Sequence, residues 1–295
     1  MAAALDRKAF FAAARVNPFG GLLAQSQVDG LNALLDTAPV GMLTNALAYC
    51  FATTHHETGA AMVPRVENLN YTSAARIQQV WPSRFPTISS AEPYVRNPQA
   101  LANKVYGGRL GNTQPNDGWD FRGMGDVQAT GRDNARRATG RLLDLGYLSP
   151  GEDLEKTPAR MLDPDVAAAM LFVGLTEGWY TGKKLSDFFT KDKSLPVAAR
   201  AMVNPDANGS IVSELYRGYL AAFQAAGHVP NGVVQSVPVP PVSTAPVGPL
   251  VKPAPRNSGV LSPAVPIPAP TAPEPKPGLL TGILARLRAA YPPKG

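Results

Sequence analysis

Apolar positions recur at helical spacing through the first three quarters of the chain, and ordinary start and stop signals bracket them. Asp6 is placed to cap a helix over residues 7–15, and Ser26 to cap one in which Val28, Leu31, Leu34 and Leu35 share a face. Residues 45–59 are almost continuously apolar until Glu57 and end in Gly59, the pattern of a helix closed by glycine. Asn97-Pro98 starts another helix. Asp163-Pro164 opens a helix over 165–178, with Ala167, Met170, Leu171 and Leu175 on one face. Ser210 starts a last one whose Leu215, Tyr219, Leu220 and Phe223 pack inward. No long alternating pattern competes, although a small hairpin fits residues 106–121. The predicted class is mainly α.

This pattern stops at His228. Fifteen of the thirty prolines lie between Pro230 and Pro277, mixed with valine, alanine and serine. Proline removes backbone donors and favours extended polyproline II, so residues 229–277 read as a solvated, semi-rigid linker. Residues 278–295 follow as a short basic amphipathic segment, a C-terminal helix with Leu280, Ile283, Leu284 and Leu287 at helical spacing and Arg286 and Arg288 near its end. Thirteen helical residues reach about 20 Å, too short to cross a bilayer. The segment is suited to lying on a membrane or other anionic surface, to docking on a partner or on its own domain, or to remaining disordered, in that order of preference. The organisation read from the sequence is therefore a globular unit over 1–228, a linker over 229–277 and the segment 278–295.

Charge sharpens that division. The 295 residues carry a net charge of +6. Residues 1–228 hold 22 basic and 21 acidic side chains, whereas the tail holds six basic residues and only Glu274. Basicity thus belongs to the tail, and the high pI does not imply nucleic-acid binding by the folded part. It points to an anionic surface such as lipid, lipopolysaccharide or wall polymer.

Two glutamates carry the candidate chemistry. Glu57 ends the apolar run, where burial would raise its pKa toward that of a general acid. Glu67 lies in the polar stretch Arg65-Val-Glu-Asn-Leu-Asn-Tyr71, where hydration and Arg65 would keep it ionised as a base. An acid and a base in different surroundings suffice to cleave a glycosidic bond. Blander roles fit the same residues. Glu57 could be a helix-end carboxylate meeting His55 or His56, and Glu67 an exposed partner of Arg65 worth under about 1 kcal/mol. A third stretch, Asp117-Gly-Trp-Asp-Phe-Arg-Gly-Met-Gly-Asp-Val-Gln-Ala-Thr-Gly-Arg-Asp-Asn134, crowds glycines, an aromatic, amides and a hydroxyl together, as a binding loop does. Within it Thr130 and Asn134 could cap a helix starting near Arg132, and Arg122 could hold the loop by hydrogen bonds. Trp119 and Tyr71 suit sugar stacking and core packing equally.

Taken in order, His56-Glu57-Thr58-Gly59, Glu67-Asn68-Leu69-Asn70-Tyr71, residues 97–109 and residues 117–134 resemble the catalytic domain of glycoside hydrolase family 19, the family of plant chitinases and many phage endolysins, with the likeness strongest to the phage lysozyme branch. It spans about residues 6–228. The resemblance implies a lysozyme-like helical domain with a bilobal cleft. It implies hydrolysis of a β-1,4 bond in peptidoglycan, or in chitin, by single displacement with inversion, the carboxyls then standing roughly 6.5–9.5 Å apart. It makes Glu57 the acid, Glu67 the base and Thr130 the holder of the attacking water. It places His56, Asn68, Tyr71, Trp119, Gln128, Asn134 and Asn204 on the sugar. The sequence departs from the family pattern at Met124, where arginine is frequent, at Ala60, where a second glycine is common, and at the inserted Pro205-Asp206 beside Asn204. A non-catalytic wall-binding or virion protein on the same domain is the reading from another class.

Other chemistries fit poorly. His55-His56-Glu57 lacks the second zincin histidine, that position being Ala60. Gly123-Met-Gly125 follows a polar stretch and not a strand, which removes the nucleotide-loop reading. No metal and no cofactor are expected. Cys50, the one cysteine, cannot form an intrachain disulfide and suits a reducing compartment. The N-terminus lacks a signal-peptide core. The expectation is a monomer made in a host cytoplasm that acts on the wall after release.

Overall fold

The computed structural model describes residues 5–204 and 206–230. Sixteen elements follow one another there: α1 (Arg7–Val16), α2 (Gln25–Thr37), α3 (Thr44–Glu57), β1 (Arg65–Val66), α4 (Ala74–Val80), α5 (Ile88–Ala91), α6 (Pro98–Tyr106), α7 (Asp117–Asp120), β2 (Met124–Gly125), α8 (Arg132–Asp144), α9 (Pro164–Glu177), α10 (Leu185–Phe188), β3 (Phe189–Thr190), β4 (Lys193–Ser194), α11 (Pro196–Ala199) and α12 (Gly209–Ala225). The fold is mainly α, as the periodicity predicts, and of the lysozyme-like helical class. The linker and terminal segment assigned to 229–277 and 278–295 fall almost wholly outside the described residues.

Side chains on every face of α3 are buried, from Ala46 to His55, which explains its unbroken apolar run. It packs against α12, and α12 against α1. Phe10, Phe51, Tyr219 and Phe223 meet there in edge-on and tilted pairs 4.8–5.8 Å apart. Cys50 is fully buried in this core, and burial pushes its thiol up, as an inert structural cysteine requires. A second apolar cluster joins α8 and α9. A third, around Leu69, Ile77, Trp81, Phe85, Leu101 and Val105, holds α4 to α6. Glu57 ends the helix at the centre of the first cluster, and Glu67 lies two residues before Leu69 of the third. The two glutamates therefore belong to different bodies of packing.

Start signals are partly as read. Asp6 accepts from the Ala9 amide and Asn97 from the Ala100 amide. Gly178 closes α9 in the left-handed conformation. Ser26 is not a cap: α2 begins one residue earlier, and the Gln27 side chain accepts from the Ala24 amide instead. Residues 106–121 form no hairpin. Asp117 accepts from the Thr113 and Gln114 amides, which turns the chain into α7, and the short ladders are β1–β2 and β3–β4. Among the described residues, no helix is long and apolar enough to cross a membrane.

Candidate active site

β1 runs antiparallel to β2, with Arg65 opposite Gly125 and Val66 opposite Met124. That register carries the next residue, Glu67, to Gly123, whose carbonyl accepts from the Glu67 amide at 2.7 Å. The Tyr106 hydroxyl, at the end of α6, lies 2.8 and 2.9 Å from the two Glu67 oxygens, and the Gly123 amide donates to one of them at 3.3 Å. Gly123 has no room for a side chain: a Cβ there would lie 2.9 Å from the Gln128 amide oxygen and 3.3 Å from the Glu67 Cβ.

This overturns the expected setting of Glu67. Its carboxyl is not a hydrated partner of Arg65. It is largely enclosed, and burial pushes its pKa up against the opposing hydrogen bonds from Tyr106 and Gly123 and the nearby Arg122 charge. Arg65 is exposed and contributes its carbonyl instead, accepting from Gln128 Nε2 at 2.9 Å.

The loop after β2 is held from within. Gln128 adopts φ +53° and also donates to the Gly125 carbonyl, so its amide nitrogen braces the loop. Thr130 donates its hydroxyl proton to the Gln128 carbonyl at 3.1 Å, and Asn134 Nδ2 donates to the Thr130 carbonyl at 2.7 Å. Neither Thr130 nor Asn134 caps α8. Gly131, at φ +98°, precedes the helix, and the first amides of α8 are met from afar, Arg132 by Asn112 Oδ1 and Asp133 by the Leu110 carbonyl. Arg132 pairs with the buried Asp117, whose carboxyl that hydrogen bond and the Gln114 and Thr113 amides hold below the usual aspartate range despite burial.

Around this loop, Arg122 lies 3.6 Å from the centre of the Trp119 ring and donates to the Trp119 carbonyl. The loop-holding role read for Arg122 is present, and it covers one face of Trp119. Tyr71 packs edge-on against Trp81 at 5.4 Å while lying near enough to Glu67 to feel its charge. Asn68 is exposed and accepts from the Asn70 amide.

Glu57 stands apart from these contacts. At the C-terminal end of α3, where the helix dipole disfavours negative charge, it is ion-paired to Arg200 and not to His55 or His56. Arg200 is itself clamped by Asp206, at 3.0 Å through Nε and 2.7 Å through Nη2, and Asp206 accepts further from Asn208. The inserted Asp206 is thus the second partner of the arginine that grips Glu57. Asn204, just before it, keeps a buried side-chain oxygen without a partner. His56 is partly buried at the last turn of α3, and His55 pairs with the Tyr219 hydroxyl at 3.0 Å, burial lowering its pKa to about 4.

Glu67, Tyr71, Trp119, Gln128, Thr130 and Asn134 are therefore linked through one loop system, while Glu57 and Asn204 share the Arg200 cluster. Sequence reasoning missed Tyr106, Arg200 and Asp206. Tyr106 lies inside the family-like stretch 97–109 and was findable as a hydroxyl there. Arg200 is 143 positions from Glu57, and no local pattern signals it. A cavity of about 520 Å3 between Met42, Tyr147, Phe172 and Leu185 is lined by none of these residues.

No family model matches the chain. Over 81 residues it is 42% identical to a "Glycosyl hydrolase family 19 domain-containing protein" of Haemophilus influenzae, a match covering 27% of this chain. The chain spans about two fifths of the length of that curated relative, 40%. It is thus similar, over about a quarter of its length, to a protein named for glycoside hydrolase family 19.

Proposed function

We propose that this chain is a peptidoglycan-degrading glycoside hydrolase of the endolysin or lysozyme kind, cleaving a β-1,4 bond by single displacement with inversion. The observation that carries the reading is the Glu67 carboxyl, enclosed yet held at both oxygens by Tyr106 on the loop that also bears Thr130. Structural carboxylates are held by cations, and this one is held by a phenol and an amide. The partial match to a glycosyl hydrolase supports the same chemistry.

Glu57 protonates the leaving glycosidic oxygen. Arg200 engages one of its oxygens, and the other has no hydrogen-bond partner among the described residues, which leaves it to carry the proton. Glu67 takes a proton from water as the water oxygen bonds to the anomeric carbon and the bond to the leaving oxygen breaks. A raised pKa strengthens Glu67 as a base as long as the working pH keeps it ionised. The Thr130 hydroxyl has already donated its proton to Gln128, so it meets that water as an acceptor. Oriented between Thr130 and Glu67, the water presents its lone pair to carbon.

Digestion of purified peptidoglycan beside chitin, with mass analysis of the new ends and proton NMR of the first anomer, tests this reading. Glu57→Gln and Glu67→Gln are expected to abolish nearly all turnover with the fold intact, and the first product is expected to be inverted. Unchanged turnover in Glu57→Gln, or retained configuration, rejects the assignment; chitin cleaved in place of peptidoglycan moves it to a chitinase.

A further inference from the structure

Arginines that leave water are normally met by acceptors, and in this fold the rule has two exceptions. Arg7, Arg122, Arg132, Arg141, Arg160 and Arg200 are all partly or wholly buried, and each places its guanidinium on a carboxylate, a side-chain amide or a backbone carbonyl. Arg84 and Arg109 are also partly buried, yet neither has an ion pair or side-chain hydrogen bond among the described residues. They are neighbours: burial and the Arg84 charge both lower the Arg109 pKa. Two like charges drawn together out of water destabilise the folded chain unless an anion joins them.

Both stand on firm backbone. Arg84 sits in the turn after α4, between Trp81 and the fully buried Phe85, its amide donating to the Trp81 carbonyl. Arg109 lies in the loop after α6, where the Gly108 amide donates to the Asn112 carbonyl and the Asn112 amide to the Arg109 carbonyl. Arg109 also lies close enough to the Tyr106 phenol, which holds Glu67, for its charge to act there. The surrounding segment, residues 65–122, has seven basic against four acidic side chains. Of those four, Asp117 is taken by Arg132 and Glu67 by Tyr106.

We propose that Arg84 and Arg109 form a binding site for a carboxylate of the substrate, engaging the anionic peptide-bearing strands of the wall beside the reacting sugar. The proposal rests on the peptidoglycan reading and deepens it. A neutral N-acetylglucosamine polymer offers no such group, whereas wall stem peptides carry free carboxylates within reach of the glycan. Two guanidiniums suit a planar carboxylate through paired N–H donors.

Co-sedimentation of the full chain with purified peptidoglycan measures this without requiring turnover. The probes are native wall, the same wall with its carboxylates converted to methylamides, and chitin. Binding of Arg84→Gln, Arg109→Gln and the double variant to native wall is expected to fall roughly tenfold for the loss of a charged hydrogen-bonded contact. Methylamidation is expected to weaken the unsubstituted chain by the same factor and to leave the double variant unaffected, while chitin binding stays equal throughout. Added salt should erase the difference. Equal losses on native and amidated wall, or no loss on either, overturn the site; the methylamidation arm uses the unsubstituted chain and decides the matter even where a variant fails to fold. Absent turnover of any polymer with the binding difference intact rejects the hydrolase reading and leaves the anion site standing. Normal turnover with no binding difference does the reverse.

Discussion

Arg200 is the position where a single substitution tests most of the candidate site at once. Its side chain is 6% exposed, that of Asp206 1%, and that of Glu57 16%. Arg200→Met keeps the length of the side chain and removes the charge, leaving Asp206 buried without its cation. Breaking a buried pair from one side costs about 3–5 kcal/mol, against a total stability of about 5–15 kcal/mol. With a urea slope of about 2–3 kcal/mol per molar for a domain of this size, the midpoint should fall by roughly 1–2.5 M at unchanged slope. Tryptophan fluorescence follows the transition. Removing both partners, in Arg200→Met with Asp206→Leu, should restore most of the loss, since no stranded charge remains.

The pH dependence gives a second reading of the same pair. Burial pushes the Asp206 carboxyl up, but hydrogen bonds from Arg200 and Asn208 outweigh it and hold the group below the usual aspartate range. A depressed folded pKa adds stability that is complete above the unfolded value of about 3.9 and disappears as the pH falls through the folded one. The penalty of Arg200→Met should therefore be full at pH 7 and shrink on acidification below about pH 4. A midpoint that shifts by less than about 0.3 M at pH 7, or a penalty that grows with acid, refutes the reasoning, because the clamp would then contribute no more than an exposed pair does.

Tyr106→Phe removes the donor that opposes burial at Glu67, so the Glu67 pKa should move further up, and with it the acid limb of the kcat/KM profile; a shift only of the alkaline limb would make Glu67 the acid. Asp126 is buried with an unpartnered oxygen, and burial pushes it up to about 7. A raised folded pKa means that stability is greatest at low pH and declines as the pH climbs from about 4 to about 7, by at most about 4 kcal/mol. Asp126→Asn should flatten that slope in urea titrations at pH 5 and pH 8, and an unaltered slope rejects it. On the proposal that residues 278–295 contact an anionic surface, their deletion should spare hydrolysis of purified wall and reduce lysis of intact Gram-negative cells, equal lysis by both forms counting against it.

Periodicity made the helices legible because burial of a face leaves a repeat in the letters. α3 and α9 are buried on all sides and show as unbroken apolar runs, and α12 shows as a stripe. Caps were legible where the capping atom is adjacent in sequence, as at Asp6 and Asn97. They were illegible at α8, whose first amides are met by Asn112 and Leu110 from 20 or more positions away. The site divides in the same way. The loop system from Glu67 to Asn134 was legible as a dense run of glycine, amide and hydroxyl residues. The Arg200 grip on Glu57 closes only when α12 and the turn before it fold back onto α3, and no window of sequence contains that contact.

The environments of the two glutamates came out reversed, and the reversal bears on how roles are assigned. Apolar neighbours in sequence suggested burial for Glu57, and polar neighbours suggested water for Glu67. Folding instead sets a cation against Glu57 and encloses Glu67 beneath Tyr106 and Gly123. Exposure alone therefore cannot order an acid and a base here; what distinguishes the two carboxyls is which of their oxygens remain free to meet a proton. Arg200 occupies one Glu57 oxygen and leaves the other open, whereas Tyr106 shares its one proton between both Glu67 oxygens and leaves each with acceptor capacity. A group that must deliver a proton needs one oxygen unencumbered, and a group that must receive one needs a lone pair directed at water. Each glutamate meets the demand of the role given to it by partners that local sequence does not reveal.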